Sequence, residues 1–268
     1  MKSLNAICGL PRSGSTLLCN VLAQHPEIFC SSTSPLPGSV ASLIGAMSGF
    51  EEMKGMLIAD KEGAEKRLER AVQGLIEGWY HDQESHVFDK GRGWAYNLRA
   101  LKYVKPSAFA IVMVRDPRSV LASLYMADDK MPLLDTAGNS LEKTMFNRAE
   151  IHMAANGLIG TSILGVEDLL RRDEKSAVFI RYEDFVRWPQ KSLDAIMERL
   201  ELDPFEFDLK NIKNQSQDVD GLYLNKYPHE GSGEITTDKI GHWATVLDPD
   251  LADLVRGMYP FYCKRFGY

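Results

Sequence analysis

Apolar residues along this chain fall into two patterns, short unbroken runs and stripes that recur every three or four positions. The runs are Leu4, Ala6, Ile7 and Cys8; His86 to Arg92, with Val87 and Phe88 at its centre; Ala108 to Val114; and Ser176 to Tyr182. Each has the length and continuity of a buried parallel strand, and Ala108 to Val114 is the most hydrophobic of them. The stripes predict helices. The first carries Leu17, Leu18, Val21 and Leu22, and the second Ala64, Leu68, Ala71, Val72, Leu75, Ile76 and Trp79. A long helix is predicted from about Leu141 to Arg172, bent at Gly157 and Gly160. Two more follow Pro189 (Leu193, Ile196, Met197, Leu200) and Asp248-Pro249 (Leu251, Leu254, Val255, Met258). Ser31 to Gly38 and Asp128 to Asn139 read as loops. Asp203 to Thr237 is polar and irregular, and loops of that length usually carry function, so it reads as a lid. Strands alternating with helices make this an α/β chain.

Composition narrows the picture. A chain of 268 residues with 44% hydrophobic content can bury one full core, so residues 1–268 read as a single domain. The net charge of −6 argues against nucleic acid or an anionic membrane as partner. An anionic ligand would then need local cations. Lys66, Arg67 and Arg70 lie opposite the 64–80 stripe and read as a solvated face. Cys8, Cys19, Cys30 and Cys263 have no zinc or thioredoxin spacing, and no metal-ligand cluster is evident. Cys8 and Cys19 lie on apolar faces and read as buried free thiols, which suits a reducing compartment. A strand that starts within a few residues of Met1 leaves no room for a signal peptide. Residues 28–50 are uncharged, but their serines, prolines and glycines disqualify them as a membrane span. The expectation is a cytoplasmic protein, bacterial or viral in style, with no membrane partner.

The candidate chemistry centres on Gly9-Leu10-Pro11-Arg12-Ser13-Gly14-Ser15-Thr16, between the first strand and the first helix. Gly9 and Gly14 permit a sharp bend and close backbone approach. The following helix offers unpaired N–H groups and the positive end of its dipole, Ser15 and Thr16 add hydroxyls, and Arg12 adds a charged fork. The pattern is a phosphate cradle. It lacks the Lys of the usual nucleoside-triphosphate loop, whose position holds Ser15.

Two further strand tips carry cations. Lys90 ends the strand 86–90, where active groups of open α/β sheets gather, although a strand-end lysine also serves solubility alone. Arg115 ends the strand 108–114, Asp116 and Pro117 start a helix at once, and Ser123 lies two turns into it. Arg115 and Ser123 can hold a second phosphate; alternatively Arg115 pairs with a nearby carboxylate and Ser123 bonds back to its own helix.

The stretch from Pro11 to Leu18 resembles the 5′-phosphosulfate loop of sulfotransferases that use 3′-phosphoadenylyl sulfate (PAPS), in which Lys or Arg precedes Ser-Gly and two hydroxyl residues. The tyrosylprotein and bacterial branches look most alike, with Pro-Arg here and a His-Pro after the helix, as in His25-Pro26. Arg115-Asp116-Pro117 with Ser123 resembles the family's 3′-phosphate motif. Arg181 to Phe185 looks like its Tyr-Glu-Asp element, whose tyrosine, here Tyr182, lies near the adenine; a core tyrosine reads equally well. Lys239 before Gly241-His242-Trp243 is loosely similar to the late basic loop that closes on the 3′-phosphate.

The resemblance implies a three-layer, P-loop NTPase-like parallel sheet of about five strands flanked by helices. It implies sulfuryl transfer from PAPS, leaving PAP without a metal, to a hydroxyl or amine on a small-molecule, glycan or peptide acceptor. The implied cofactor-binding residues are Pro11, Arg12, Ser13, Gly14, Ser15, Thr16, Arg115, Ser123, Tyr182 and Lys239, and the implied catalytic ones Lys90 and Arg12. Neither base of the family is retained: Cys30 to Ser34 stands where one branch has a glutamate, and Arg92 where another has a histidine. His229 and His242 are bare candidates. The alternatives are a P-loop kinase using ATP and a non-catalytic homologue that holds PAP or PAPS.

Overall fold

The computed structural model describes residues 1–131, 134–135, 143–215, 218–229 and 231–268, without the side chains of residues 173, 174, 222 and 223. Five parallel strands form one sheet: β1 (Ser3–Gly9), β2 (Ile28–Thr33), β3 (His86–Lys90), β4 (Ala110–Val114) and β5 (Ala177–Arg181), in the order β2-β3-β1-β4-β5. The order reverses beside β1, so the crevice at its carboxyl end is a topological switch point, where open α/β sheets bind ligands.

Side chains alternate across each strand, and both faces are apolar because both are covered. Leu4, Ala6, Cys8, Val87, Ala110, Val112 and Val114 point to one side. There they meet helices α2 (Leu36–Gly49), α4 (Lys61–Trp79), α5 (Trp94–Val104), α6 (Pro117–Lys130), α8 (Leu158–Asp173), α11 (Pro249–Met258) and α12 (Pro260–Phe266). Ile7, Phe88, Ile111, Met113 and Ile180 point to the other, against α1 (Ser15–Leu22), α9 (Tyr182–Arg187) and α10 (Pro189–Arg199). Helices α3 (Glu51–Ala59) and α7 (Met145–Met153) complete the set among the described residues. The three-layer α/β expectation holds.

Several helices start where their caps dictate. Asp60, Asp116, Thr144 and Asp248 each accept a backbone N–H of the first turn, worth about 1 kcal/mol apiece.

Three expectations fail. Residues 31–38 are not a loop: Ser31 to Thr33 end β2, and α2 begins at Leu36 after Ser34 accepts the Leu36 N–H (3.0 Å). β2 is an edge strand in which Ser31 and Ser32 are only half-buried and Thr33 is exposed, so polar side chains cost little there. The helix expected over 141–172 is two helices. The chain leaves helical geometry at Ala154 (ψ 153°), and the Tyr259 hydroxyl bonds the freed Met153 carbonyl (2.5 Å). Of the loop expected over 128–139, residues 128–130 finish α6, while 132–133 and 136–139 lie outside the described residues, as does Leu141. The four cysteines are free thiols; Cys8, Cys19 and Cys263 are buried, and burial pushes the Cys8 thiol up to about 12. Among the described residues no helix is long and apolar enough to cross a membrane.

Candidate active site

The site lies on the carboxyl ends of the strands, and the turn after β1 is its centre. Gly9 (φ +123°), Arg12 (φ +57°) and Gly14 (φ +84°) all take left-handed geometry, which coils the backbone tightly. A Cβ on Gly9 would sit 2.0 Å from the Met113 carbonyl oxygen in β4, and one on Gly14 2.9 Å from the Tyr182 ring. Ser13 is fully buried and donates its hydroxyl to the Leu10 carbonyl (2.6 Å), pinning the turn from inside. It can therefore offer a ligand only its backbone N–H. Helix α1 then opens at Ser15 with no acidic residue in its first turn, so its unpaired N–H groups and positive dipole end remain available to an anion.

Lys90 is placed by register and alternation. It pairs with Ile7 across β1/β3, which brings it level with the start of the turn. Its neighbour Asp89 points into the helix layer and accepts from Trp94 Nε1 (2.6 Å) and the Tyr80 hydroxyl. Burial pushes the Asp89 carboxyl up from the usual range, and those hydrogen bonds partly oppose it. Lys90 faces the opposite side. Its Nζ donates to Thr16 Oγ1 (3.1 Å) and lies 3.1 Å from Asp218 Oδ2, in an ion pair whose side chains are each 7% exposed.

Arg115 leaves β4 with its backbone clamped by one distant side chain. The buried Tyr262 hydroxyl of α12 accepts its N–H (3.2 Å) and donates to its carbonyl (3.0 Å). The guanidinium stacks on the Tyr182 ring, 4.1 Å from its centroid, and donates to the carbonyls of Arg12 (2.5 Å) and Lys239 (3.3 Å). Burial lowers its pKa, and its Nε is buried without a hydrogen-bond partner. Asp116 makes its ion pair with Arg118 (2.8 Å), and the charges of Asp116 and Glu183 nearby only partly offset the burial of Arg115. A buried cation with one donor unsatisfied is costly by itself and suits an anion arriving beside it.

The side chain of Arg12 leaves the turn. Its Nε donates to Ser123 Oγ (3.2 Å) and its Nη1 to the Pro228 carbonyl (3.0 Å). Ser123 thus faces the crevice. Lys239 is exposed and meets the site through its carbonyl, and Pro11, Ser15 and Thr16 are half-buried along the turn. Arg12, Gly14, Arg115, Ser123, Tyr182 and Lys239 are thus joined in one contact network around the turn, and Thr16 links it to Lys90.

Of the polar segment 203–237, Phe207 and Ile212 pack into the core, while Asn214, Gln215, Asp218, Pro228 and Gly231 contact the site; residues 216, 217 and 230 lie outside the described residues. Asn20, 2% exposed on α1, anchors it through Gly231 O (2.8 Å), Asn214 Oδ1 (3.2 Å) and the Gln215 N–H (3.1 Å). Asp218 joins it to β2 as well, accepting the Thr33 N–H at 2.8 Å. His229 lies within it, its Nδ1 2.5 Å from Asp220 Oδ1, whereas His242 bonds Thr245 Oγ1 (3.2 Å). A cavity of about 350 Å³ runs along β2, walled by Phe29, Ser31, Thr33, Trp79 and Tyr80. Cys30, Ser31 and Gln215 also line the recess that holds Thr16 and Lys90.

Sequence patterns do not point to Tyr262, Asn20 or Asp218. Each acts on a partner more than a hundred residues away in the chain, and none sits in a local motif.

The family model described as the sulfotransferase family matches residues 6–206. No curated protein matches the chain in sequence. Among solved structures, the fold is similar to the sulfotransferase domain from the curacin biosynthetic pathway (18% identity, 96% of this chain and 97% of that one, TM-score 0.58). It is likewise similar to the sulfotransferase domain of the Synechococcus PCC 7002 olefin synthase (20%, 99% and 95%, TM-score 0.59). A mouse sulfotransferase complexed with PAP is more distant (14%, 98% and 85%, TM-score 0.53). At these identities the likeness is one of fold.

Proposed function

The chain belongs to the sulfotransferase family, and on that premise we propose that it transfers a sulfuryl group from PAPS to a hydroxyl or amine acceptor, releasing PAP. The observation that carries this reading is the pairing of two anion sites in one crevice. The turn 9–16 offers backbone N–H groups, and the buried Arg115, with its unpartnered Nε, sits against the same turn. A bisphosphate nucleotide with phosphates on opposite sides of its ribose matches two such sites. In this reading the turn holds the 5′-phosphosulfate, Arg115 and Ser123 hold the 3′-phosphate, and Tyr182 lies beside the base. Lys90, one strand over, meets the sulfuryl group. The acceptor enters from the cavity along β2, whose serine, threonine and aromatic walls suit a neutral group.

Sulfuryl transfer, like phosphoryl transfer, rests on positioning and on stabilising charge that builds on the leaving oxygen. Lys90 and the first N–H groups of α1 supply that stabilisation.

Direct binding tests the reading. Arg115→Ala should weaken PAP roughly ten- to a hundredfold, the loss of a charge-assisted contact worth about 1.5–3 kcal/mol. Adenosine 5′-phosphosulfate, which lacks the 3′-phosphate, should bind the variant and the parent alike in calorimetry. Equal losses for both nucleotides would make Arg115 a structural residue.

Turnover should also be indifferent to metal. The site supplies its own cations in Arg12, Lys90 and Arg115. Full rates are expected with EDTA present. An absolute need for Mg²⁺ would turn the assignment toward a kinase using ATP.

A further inference from the structure

We propose that Asp218 is the general base of this reaction. The proposal rests on the transfer reading above. An acceptor hydroxyl must lose its proton as its oxygen bonds to sulfur, so a proton-accepting group has to lie beside the sulfuryl position.

Asp218 occupies that place by two contacts. Its Oδ1 accepts the Thr33 N–H at the end of β2 (2.8 Å), and its Oδ2 lies 3.1 Å from Lys90 Nζ at the end of β3. The carboxylate therefore spans the gap between the acceptor cavity, which Thr33 lines, and the lysine that meets the migrating group. The stretch Cys30 to Ser34 contains no acid or histidine of its own, and Asp218 supplies a carboxylate against its backbone from a remote part of the chain. Among the described residues, the other titratable groups nearby point elsewhere. Asp89 faces the helix layer, where Tyr80 and Trp94 bind it. The His229 ring is held by Asp220. Cys30 is a thiol whose proton burial holds more firmly than usual.

The step balances without a further reagent. The acceptor oxygen's lone pair forms the new O–S bond. The bond from sulfur to the 5′-phosphate oxygen breaks, and its electron pair leaves on PAP, facing Lys90. The acceptor proton moves to the Asp218 carboxylate, which later returns it to solvent.

The test uses water as the acceptor, because water must lose a proton like any hydroxyl. Release of labelled sulfate from PAPS is followed in the parent, Asp218→Asn and Asp218→Ala, with PAP affinity measured in each. Both variants should release sulfate about a hundredfold more slowly, the lower end of general-base contributions. PAP should bind within a fewfold, which also certifies the fold. Added formate should restore Asp218→Ala at least tenfold while leaving Asp218→Asn, whose side chain fills the space, unchanged. Parental rates in the variants would overturn the proposal. So would slow variants that formate does not help, or loss of PAP binding in both, since each marks a structural latch. A parent that binds PAP yet releases no sulfate above the buffer rate and sulfates none of a panel of alcohols and amines would remove the transfer reading, and this proposal with it.

Discussion

Replacing Lys90 by methionine is expected to slow sulfuryl transfer by about two orders of magnitude or more, the scale seen when one preorganised donor to a developing charge is lost. PAP affinity should stay within a fewfold, because PAP lacks the group that moves, and interactions made only in the transition state act on rate rather than on binding. Methionine keeps most of the buried stem but loses the ammonium that donates to Thr16 Oγ1. It removes the charge, however, and leaves Asp218 without its nearest cation. The Asp218 carboxylate keeps the Thr33 N–H, so the loss of stability should fall below the about 3–5 kcal/mol typical of a fully stranded member of a buried pair. A lowered melting temperature is therefore part of the expected result, and the rate must be measured well below it. Lys90→Arg retains charge and should recover most of the stability but little of the rate, since a planar fork cannot reproduce a point donor. Normal transfer in Lys90→Met would end the case for a catalytic lysine.

The second large effect concerns the backbone. Gly9→Ala should destabilise the protein by several kcal/mol. The native φ of +123° strains any residue with a Cβ, at about 1–3 kcal/mol. The methyl would also be driven to 2.0 Å from the Met113 carbonyl oxygen, a backbone atom that cannot rotate aside. Forced repacking of that kind adds about 1–3 kcal/mol more. For a chain of this size the sum corresponds to a fall of about 10 °C in melting temperature. The turn must also shift away from β4, so PAP binding should weaken in the surviving folded fraction. An alanine variant with the parent's melting curve and PAP affinity would mean that the turn is softer than its geometry implies.

Much of the fold is legible in local patterns. The buried runs around Leu4 to Cys8, Val87-Phe88 and Ala108 to Val114 declare themselves because both faces of those strands are covered. The Asp116-Pro117 start is legible because a cap and a proline act on their own first turn. β2 is less visible, since its last three residues are polar and rely on β3 for their geometry. The break at Ala154 is hidden because helical periodicity continues on both sides, and what stabilises the break is Tyr259, far along the chain. Helices α2 and α3 carry apolar residues without a clean stripe, so packing rather than periodicity selects them, whereas α5 buries Trp94, Leu98 and Leu101 on one face.

The candidate site divides the same way. By itself the sequence determined the turn from Gly9 to Thr16, the cations at the tips of β3 and β4, and the order in which they occur. These are local facts: a bend that needs glycine, a helix start, a charge at a strand end. Tertiary structure alone decided where each cation points and what it touches. It turned the Arg12 side chain out toward Ser123 and Pro228, and seated Arg115 on Tyr182 with Tyr262 clamping its backbone. It also brought Asp218 against Lys90 and Thr33 across more than a hundred residues. No local pattern encodes such contacts, because their free energy comes from desolvation and from partners that meet only after the sheet has formed.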